Sequence, residues 1–181
     1  MSVSRNKPVI LGIARNTCLA LIVVMFFSCN FSAIAVNPST LTEQNKAIAL
    51  RFAQDGWGTQ KNWSQVWDEL VAPEVVYYFN SFPDPIIGLE ANKAFSEDLF
   101  QGFPDIKSTI ETVVAEEDTV IIRSTLEGKQ TGPFLEMPIT GKKVKMNDFT
   151  MYKIKDGKIR EMWYETNLLS LMQQLGLSPD K

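Results

Sequence analysis

The chain has 181 residues, of which 45% are hydrophobic and 22% are charged, and its formal net charge is −3. These values fit one globular domain and exclude a disordered chain. The sequence contains no histidine, which excludes serine–histidine and cysteine–histidine catalysis and removes the most common metal ligand. Any acid–base chemistry must therefore depend on carboxylates, tyrosine, lysine or bound water.

The first 35 residues have the pattern of a secretory signal peptide. Basic residues precede an apolar run over 17–27, and a small-x-small cleavage site ends at Ala35. A membrane anchor is the main alternative, but this run is well short of the roughly 20 apolar residues that a spanning helix needs. A lipid anchor at Cys29 is a further alternative, although the preceding residues lack the usual aliphatic and small side chains. We expect a cleaved signal over 1–35, a single domain over 36–181 and a secreted or periplasmic location.

Removal of this segment changes the composition of the mature chain. Both cysteines, Cys18 and Cys29, would be lost, so the mature domain would have no disulfide and no cysteine metal site. Arg5, Lys7 and Arg15 would also be lost, which leaves 15 basic residues against 21 acidic ones and a net charge of −6. We expect no nucleic-acid partner and no stable membrane insertion, because an acidic surface repels polyanions and anionic lipid.

The spacing of apolar residues predicts four helices. They cover 40–55, 62–70, 89–100 and 168–175. A capping box at 40–43 is predicted to begin the first helix. The last helix is followed by Gly176, whose lack of a side chain suits a left-handed cap.

Most of the remaining chain alternates as β-strands do. The predicted strands cover 75–79, 106–114, 119–128, 144–154 and 158–165. An acidic turn at 116–118 and the pair Asp156-Gly157 each predict an antiparallel hairpin. Helices followed by a mostly antiparallel sheet indicate an α+β fold, with the helices on one face of a strongly curved sheet and a concave pocket.

Several short motifs occur in a fixed order along the chain. They are Phe103-Pro104-Asp105, the acidic turn before Asp118, Arg123, Gly128-x-x-Thr131-Gly132, Pro138-x-Thr140-Gly141, Asp156-Gly157-Lys158-Ile159-x-Glu161-x-Trp163 and Gln174-Leu175-Gly176. Together they resemble the SnoaL-like polyketide cyclase, or ester cyclase, family of the nuclear transport factor 2-like superfamily, over 41–177. The resemblance implies a cone-shaped α+β fold with a pocket. It also implies ring closure by intramolecular aldol condensation, with no metal or organic cofactor.

The sequence departs from the family pattern at several chemically important positions. Where the family has Gly-Thr-His-Thr-Gly, this chain has Lys129-Gln130 as the central pair, so the histidine is lost. Thr150, Tyr164 and Asn167 stand where the family often has acidic or other catalytic groups. The resemblance therefore implies the fold more strongly than the reaction.

The candidate site residues lie on the predicted strands. The implied reaction needs a base that removes a proton from the carbon next to a carbonyl. Asp148 and Glu161 are the candidate carboxylates for this role. Alternation places Asp148 with Thr150, and Glu161 with Trp163, so the four would share a pocket if both faces point inward. The alternatives are that Glu161 pairs with Arg123 or a lysine and that Asp148 is solvated.

Other side chains are candidates for binding the ligand. Arg123 and Gln130 could bind a carbonyl or carboxylate. Either Tyr77 or Tyr78 must point inward. The proposed ligand-binding set is Arg123, Gln130, Thr150, Trp163, Tyr164 and Tyr77.

Two functions remain open on the sequence alone. The first is a cofactor-free cyclase or related carbon-acid enzyme that acts on a small hydrophobic or carbonyl-containing molecule. The second is a binding module that keeps the pocket without the chemistry. A homodimer through the open face of the sheet is a further expectation.

Overall fold

The computed structural model describes residues 38–58 and 60–177, so the expected signal segment and its cleavage site lie outside the described residues. The described part contains four helices and six strands. The helices are α1 (Pro38–Asp55), α2 (Trp63–Leu70), α3 (Leu89–Gly102) and α4 (Leu168–Leu175). The strands are β1 (Val71–Phe79), β2 (Ile86–Ile87), β3 (Lys107–Glu116), β4 (Thr119–Lys129), β5 (Lys143–Lys155) and β6 (Lys158–Thr166).

The strands form one curved, open sheet in the order β2-β1-β6-β5-β4-β3. The pairs β3–β4, β4–β5 and β5–β6 are antiparallel, whereas β1 runs parallel to β6. This arrangement confirms the predicted α+β fold with a mostly antiparallel sheet. The two-residue strand β2 was not predicted, because two isoleucines are too short a run to show alternation.

The hairpin between β5 and β6 has the turn that its sequence predicts. Asp156 and Gly157 have φ angles of 54° and 73°, and two consecutive positive values are the requirement of a type I′ turn. Gly176 likewise adopts the predicted left-handed conformation after α4, with φ 73°. Local turn chemistry therefore sets the register of the strand pair on which the site is built.

The start of α1 differs from the prediction. The helix begins at Pro38, two residues before the capping box that was expected to start at Thr40. Proline is favoured in the first turn of a helix because its missing N–H would have no partner there. The capping-box interpretation is therefore wrong, although the helix ends at Asp55 as predicted.

The core lies between the helices and one face of the sheet, which we call the inner face. Phe52 of α1 packs edge-on against Trp67 of α2 at 4.9 Å between ring centroids and against Tyr152 of β5 at 5.8 Å. All three residues are at most 3% exposed. Residues of β5 that share the orientation of Tyr152 therefore face the interior, and their neighbours face the opposite, outer face.

None of the described helices combines the length and the apolar character that crossing a bilayer would require.

Candidate active site

Asp148 is a buried carboxylate on the inner face of the sheet. Along β5, buried and more exposed residues alternate, and Asp148, Thr150 and Tyr152 belong to the buried set. Asp148 is only 3% exposed. Because an unpaired buried charge is costly, such a carboxylate must be hydrogen-bonded or must change its pKa. The structure shows both.

Ser124 on β4 lies directly opposite Asp148 in the strand register. Its hydroxyl donates a hydrogen bond to Asp148 Oδ1. Burial raises the pKa of Asp148, and the hydrogen bonds from Ser124 and the interaction with the Tyr164 hydroxyl offset part of that rise. The result is a carboxyl group that holds its proton at higher pH than a solvated aspartate, which is a useful property for a general base.

Three buried tyrosines surround this carboxylate. Tyr77 lies on β1, Tyr152 on β5 and Tyr164 on β6, and each is at most 6% exposed. Burial raises the pKa of all three phenols, and the charge of Asp148 raises each of them further. Their hydroxyl groups therefore stay protonated at neutral pH and can donate hydrogen bonds.

Tyr77 and Tyr164 also line a largely aromatic cavity of about 40 Å³. We call it the apolar cavity. Its other walls include Phe79, Phe95 and Phe134. An enclosed apolar space with a few convergent polar groups is the usual form of a small-molecule site. At this volume it holds only a few water molecules, so a larger ligand requires its aromatic walls to move.

Asp148 itself borders a second, smaller space of about 10 Å³, which we call the carboxylate cavity. Ser124, Thr150 and Tyr152 also line it, which makes it more polar than the apolar cavity. Its volume suffices for about one water molecule. Trp57 and Leu126 border both cavities. The base and the apolar cavity therefore lie next to each other, separated by these two side chains.

Glu161 and Trp163 do not share this site. In the pairing of β5 with β6, Glu161 lies opposite Lys153 and Trp163 opposite Met151. These residues belong to the outer face, whereas Met162 of the same strand is 2% exposed on the inner face. The expectation that Asp148 and Glu161 line one pocket is therefore wrong. Alternation had correctly separated the two sets of β6, but it did not show which set faces inward.

Arg123 also points away from Asp148. It pairs in register with Phe149, which is 48% exposed on the outer face. Its guanidinium forms an ion pair with Glu111. Arg123 therefore faces the outer side, as strand arginines usually do. The sheet itself separates its guanidinium from the inner cavities.

Gln130 is fully buried but borders neither cavity. Its Oε1 accepts hydrogen bonds from Thr140 N at 3.1 Å and from Thr140 Oγ1 at 2.7 Å. Its Nε2 has no hydrogen-bond partner among the described residues. The side chain therefore ties the segment after β4 to the start of β5, at the position where the family pattern has histidine.

The strand register shows which of the remaining candidate residues face inward. Thr150 lies opposite Tyr164, and both face inward, as does Tyr77. Tyr78 instead stacks on Trp163 at the outer face, with 5.0 Å between ring centroids. Sequence reasoning missed Ser124 and Trp57. Ser124 could have been found, because alternation from the apolar Ile122 puts a serine on the same face.

The described residues offer no obvious metal site. Over 38–58 and 60–177, no three side chains of aspartate, glutamate, histidine or cysteine converge in the way a metal ion requires.

Comparison with known proteins agrees with this architecture. The model of the family described as SnoaL-like polyketide cyclase matches residues 47–175. A search of curated proteins finds no significant match.

Among solved structures, a candidate SnoaL-like polyketide cyclase from Jannaschia sp. CCS1 is 37% identical and has a TM-score of 0.73, with 77% of this chain and 96% of that chain covered. AclR, a candidate hydroxylase from Streptomyces galilaeus, is 25% identical with a TM-score of 0.65, and the match covers 76% of this chain and 99% of that chain. TsrD from Streptomyces laurentii is 26% identical with a TM-score of 0.61, over 75% and 94% of the two chains. The family match covers most of the chain, and the fold is the one the family implies. The chain therefore belongs to the SnoaL-like polyketide cyclase family.

Proposed function

We propose that the protein is a cofactor-free enzyme of the cyclase type, in which Asp148 acts as the general base on a small carbonyl compound. One observation carries this proposal. The buried Asp148, whose pKa is raised by burial, interacts with Tyr164, and Tyr164 also lines the apolar cavity. A base and a phenol donor thus meet at the edge of a space that suits an apolar carbonyl substrate.

The reaction uses the proton that Asp148 can accept and return. The carboxylate removes a proton from the carbon next to a carbonyl, and the C–H electron pair forms an enolate. Tyr77 and Tyr164, which line the cavity and keep their protons, can donate hydrogen bonds to the enolate oxygen. The enolate carbon then attacks a second carbonyl of the same molecule, and the new alkoxide takes the proton back from Asp148.

A binding function without chemistry is the second candidate. It is favoured by one specific observation, which is that Asp148 borders the carboxylate cavity and not the apolar cavity. A ligand that stays in the apolar cavity would meet the phenols and the carboxylate of Glu127, which is paired with Lys145, but not Asp148. The losses of the family histidine at Gln130 and of the acid or histidine that the family often has at the position of Thr150 also support this alternative.

One experiment separates the two candidates. The purified protein is incubated with a metabolite extract of the source cells, and the retained compounds are identified by mass spectrometry before and after prolonged incubation. An aldol ring closure without loss of water keeps the mass and changes the retention time, so the enzyme proposal predicts an isomeric product. Retention of an unchanged compound would support the binding function.

We also propose a location and an assembly. The signal pattern over 1–35 supports a secreted or periplasmic protein. An apolar row crosses the outer face in register, through Tyr78, Trp163, Met151, Ile121 and Val114. Of these, Val114 is 59% exposed, and Tyr78 and Ile121 are each 37% exposed.

Charged residues of both signs border this row. Glu161 and Lys153 lie on one side of it, and Glu165 lies on the other side beside Phe149. An apolar centre with a polar rim is the usual anatomy of a protein interface. These features support a homodimer through the outer face.

A further inference from the structure

Three spaces meet at Trp57 and Leu126. Two of them are the apolar cavity and the carboxylate cavity described above. The third is an open groove of about 330 Å³ between the end of α1 and the start of β3. We call it the entrance groove. Its polar walls are Gln54, Gln60, Lys107, Ser108 and Thr109.

The entrance groove and the carboxylate cavity are consecutive. Ala53 and Ser108, together with Trp57 and Leu126, border both of them. Ser108 is exposed to solvent, whereas Asp148 at the far wall of the carboxylate cavity is 3% exposed. All of these side chains lie on the inner side of the sheet, because Ser108 pairs in register with the inward Leu126. The entrance groove therefore adjoins the carboxylate cavity, and Ser108 lies at their common wall, between solvent and the buried carboxylate.

The backbone on either side of Trp57 is held in place. The indole Nε1 of Trp67 donates a hydrogen bond to Gly56 O at 2.9 Å. On the other side, a Cβ added at Gly58 would lie 3.0 Å from the backbone oxygen of Ile106, so the chain approaches β3 closely there. The backbone is fixed at both points, which leaves the half-buried side chain of Trp57 as the part that can change the width of a passage between the groove and the cavities.

We propose that the entrance groove is the route by which ligands reach the inner cavities, and that Trp57 determines which ligands pass. The indole ring stands where the groove divides toward Asp148 and toward the apolar cavity. This inference rests on the site of the proposed function, but its test does not use the reaction.

The walls of the groove define the chemistry of the ligand. Gln54, Gln60 and Ser108 are exposed and both donate and accept hydrogen bonds, and Lys107 is the charged side chain on the groove wall within the described residues. The walls of the apolar cavity are largely aromatic. A matching ligand has an apolar ring system that enters first and a polar or anionic substituent that stays in the groove.

The test uses 1-anilinonaphthalene-8-sulfonate, which has this form, and follows its binding to the full chain by stopped-flow fluorescence. Ser108→Phe places a ring in the groove without touching the apolar cavity. An obstructed entrance slows association and dissociation together, by about an order of magnitude each, whereas loss of a contact with Ser108 alone would accelerate dissociation. Thr112→Phe is the matched control, because Thr112 is exposed on the same strand and borders none of the three spaces.

Trp57→Ala provides the opposite change and is expected to accelerate both rates. Trp63→Ala is its control, because Trp63 and Trp57 both pack edge-on against Phe100, at 5.3 and 6.1 Å, but Trp63 borders none of the three spaces. If the alanine variant of Trp57 unfolds, Trp57→Phe keeps the packing and is expected to accelerate the rates less.

The proposal is overturned if Ser108→Phe leaves both rates unchanged, if Thr112→Phe slows them equally, or if the probe does not bind at one-to-one stoichiometry. In each of these cases the role of Asp148 as a base would remain open to its own test. Conversely, a loss of the proposed chemistry would leave the binding rates of the probe unaffected.

Discussion

Asp148 and Ser124 face each other across the β4–β5 strand pair, and the serine hydroxyl donates a hydrogen bond to the aspartate Oδ1 on the buried side of the sheet. Asp148 and Glu161 were the two candidate bases, and only Asp148 faces the inner cavities. Its pairing with Ser124 affects how readily Asp148 ionises. The bond favours the ionised form, whereas burial favours the protonated form. The balance sets the pH range in which Asp148 can serve as a base.

Ser124→Ala tests the contribution of the hydrogen bond to the pKa of Asp148. Loss of the hydrogen bond is expected to raise the pKa of Asp148 further, because that bond lowers it in the native protein. At neutral pH the variant should lose about 1.5–3 kcal/mol of stability, the usual worth of a hydrogen bond to a charged group. The pKa is measured by carboxyl NMR titration and the stability by urea denaturation. Ser81→Ala is the control, because Ser81 is exposed and borders none of the three spaces, and an unchanged pKa in Ser124→Ala would contradict the account.

The effect of burial on the pKa of Asp148 predicts how the stability of the protein changes with pH. Because burial raises the native pKa of Asp148 above its ordinary value of 3.8, the native state binds more protons than the unfolded state between the ordinary pKa and the native pKa. This group's contribution to the free energy of unfolding therefore falls as the pH rises through that window. Asp148→Asn removes the fall, and the variant should be more stable than the parent at pH 7.

Asp118→Asn is the matched control with the opposite sign. Hydrogen bonds from Lys153 and Thr119 lower the pKa of Asp118 below its ordinary value. Its contribution to stability is present above the unfolded pKa and is lost as the pH falls through the native pKa. The asparagine variant should therefore be less stable than the parent at pH 7. Thermal unfolding between pH 3 and 8 checks both variants, and equal signs would contradict the assignment.

Tyr164→Phe tests the link between the base and the apolar cavity. The Tyr164 hydroxyl interacts with Asp148 and lowers its pKa, so removal of the hydroxyl should raise that pKa. Tyr78→Phe should have no effect, because Tyr78 stacks on Trp163 at the outer face. The same carboxyl NMR titration distinguishes the two variants. Equal titration curves for Tyr164→Phe and the parent would show that the Tyr164 hydroxyl does not affect Asp148.

Trp163→Glu tests the proposed homodimer. A charge in the middle of the apolar row should weaken association strongly, because a buried unpaired charge is costly. Leu169→Glu is the control, since Leu169 is 59% exposed on α4 and lies away from the outer face. Sedimentation velocity over a range of concentrations measures the assembly. A monomeric parent protein, or equal dissociation in both variants, would refute this interface.

Local patterns predicted most of the fold but less of the site. The hairpin at Asp156-Gly157 and the cap at Gly176 depend on backbone conformations that neighbouring residues specify. The parallel contact of β1 with β6 joins segments that are distant in the chain, and no local pattern encodes it. That contact brings Tyr77 and Tyr164 to the same side, with 6.5 Å between ring centroids.

The error at Glu161 has a physical explanation. Each face of β6 carries a large apolar side chain, Met162 on one and Trp163 on the other, so hydrophobicity did not show which face is buried. Alternation fixes which residues share a face, and only the tertiary packing decides which face is inside. For Asp148 the sequence left a solvated position open, and the structure places it in the buried series of β5 with Tyr152 and Ile154.

The most direct test of the central claim is deuterium exchange into a benzo-fused cyclic ketone such as 2-tetralone, followed by proton NMR in D₂O. The parent protein should accelerate exchange at the carbon next to the carbonyl. Asp148→Asn should lower the catalysed rate by about 10²- to 10⁴-fold, the usual contribution of a general base, while Glu161→Gln should change it by no more than about twofold. An unchanged rate in Asp148→Asn, or an equal loss in Glu161→Gln, would contradict the assignment of Asp148 as the base.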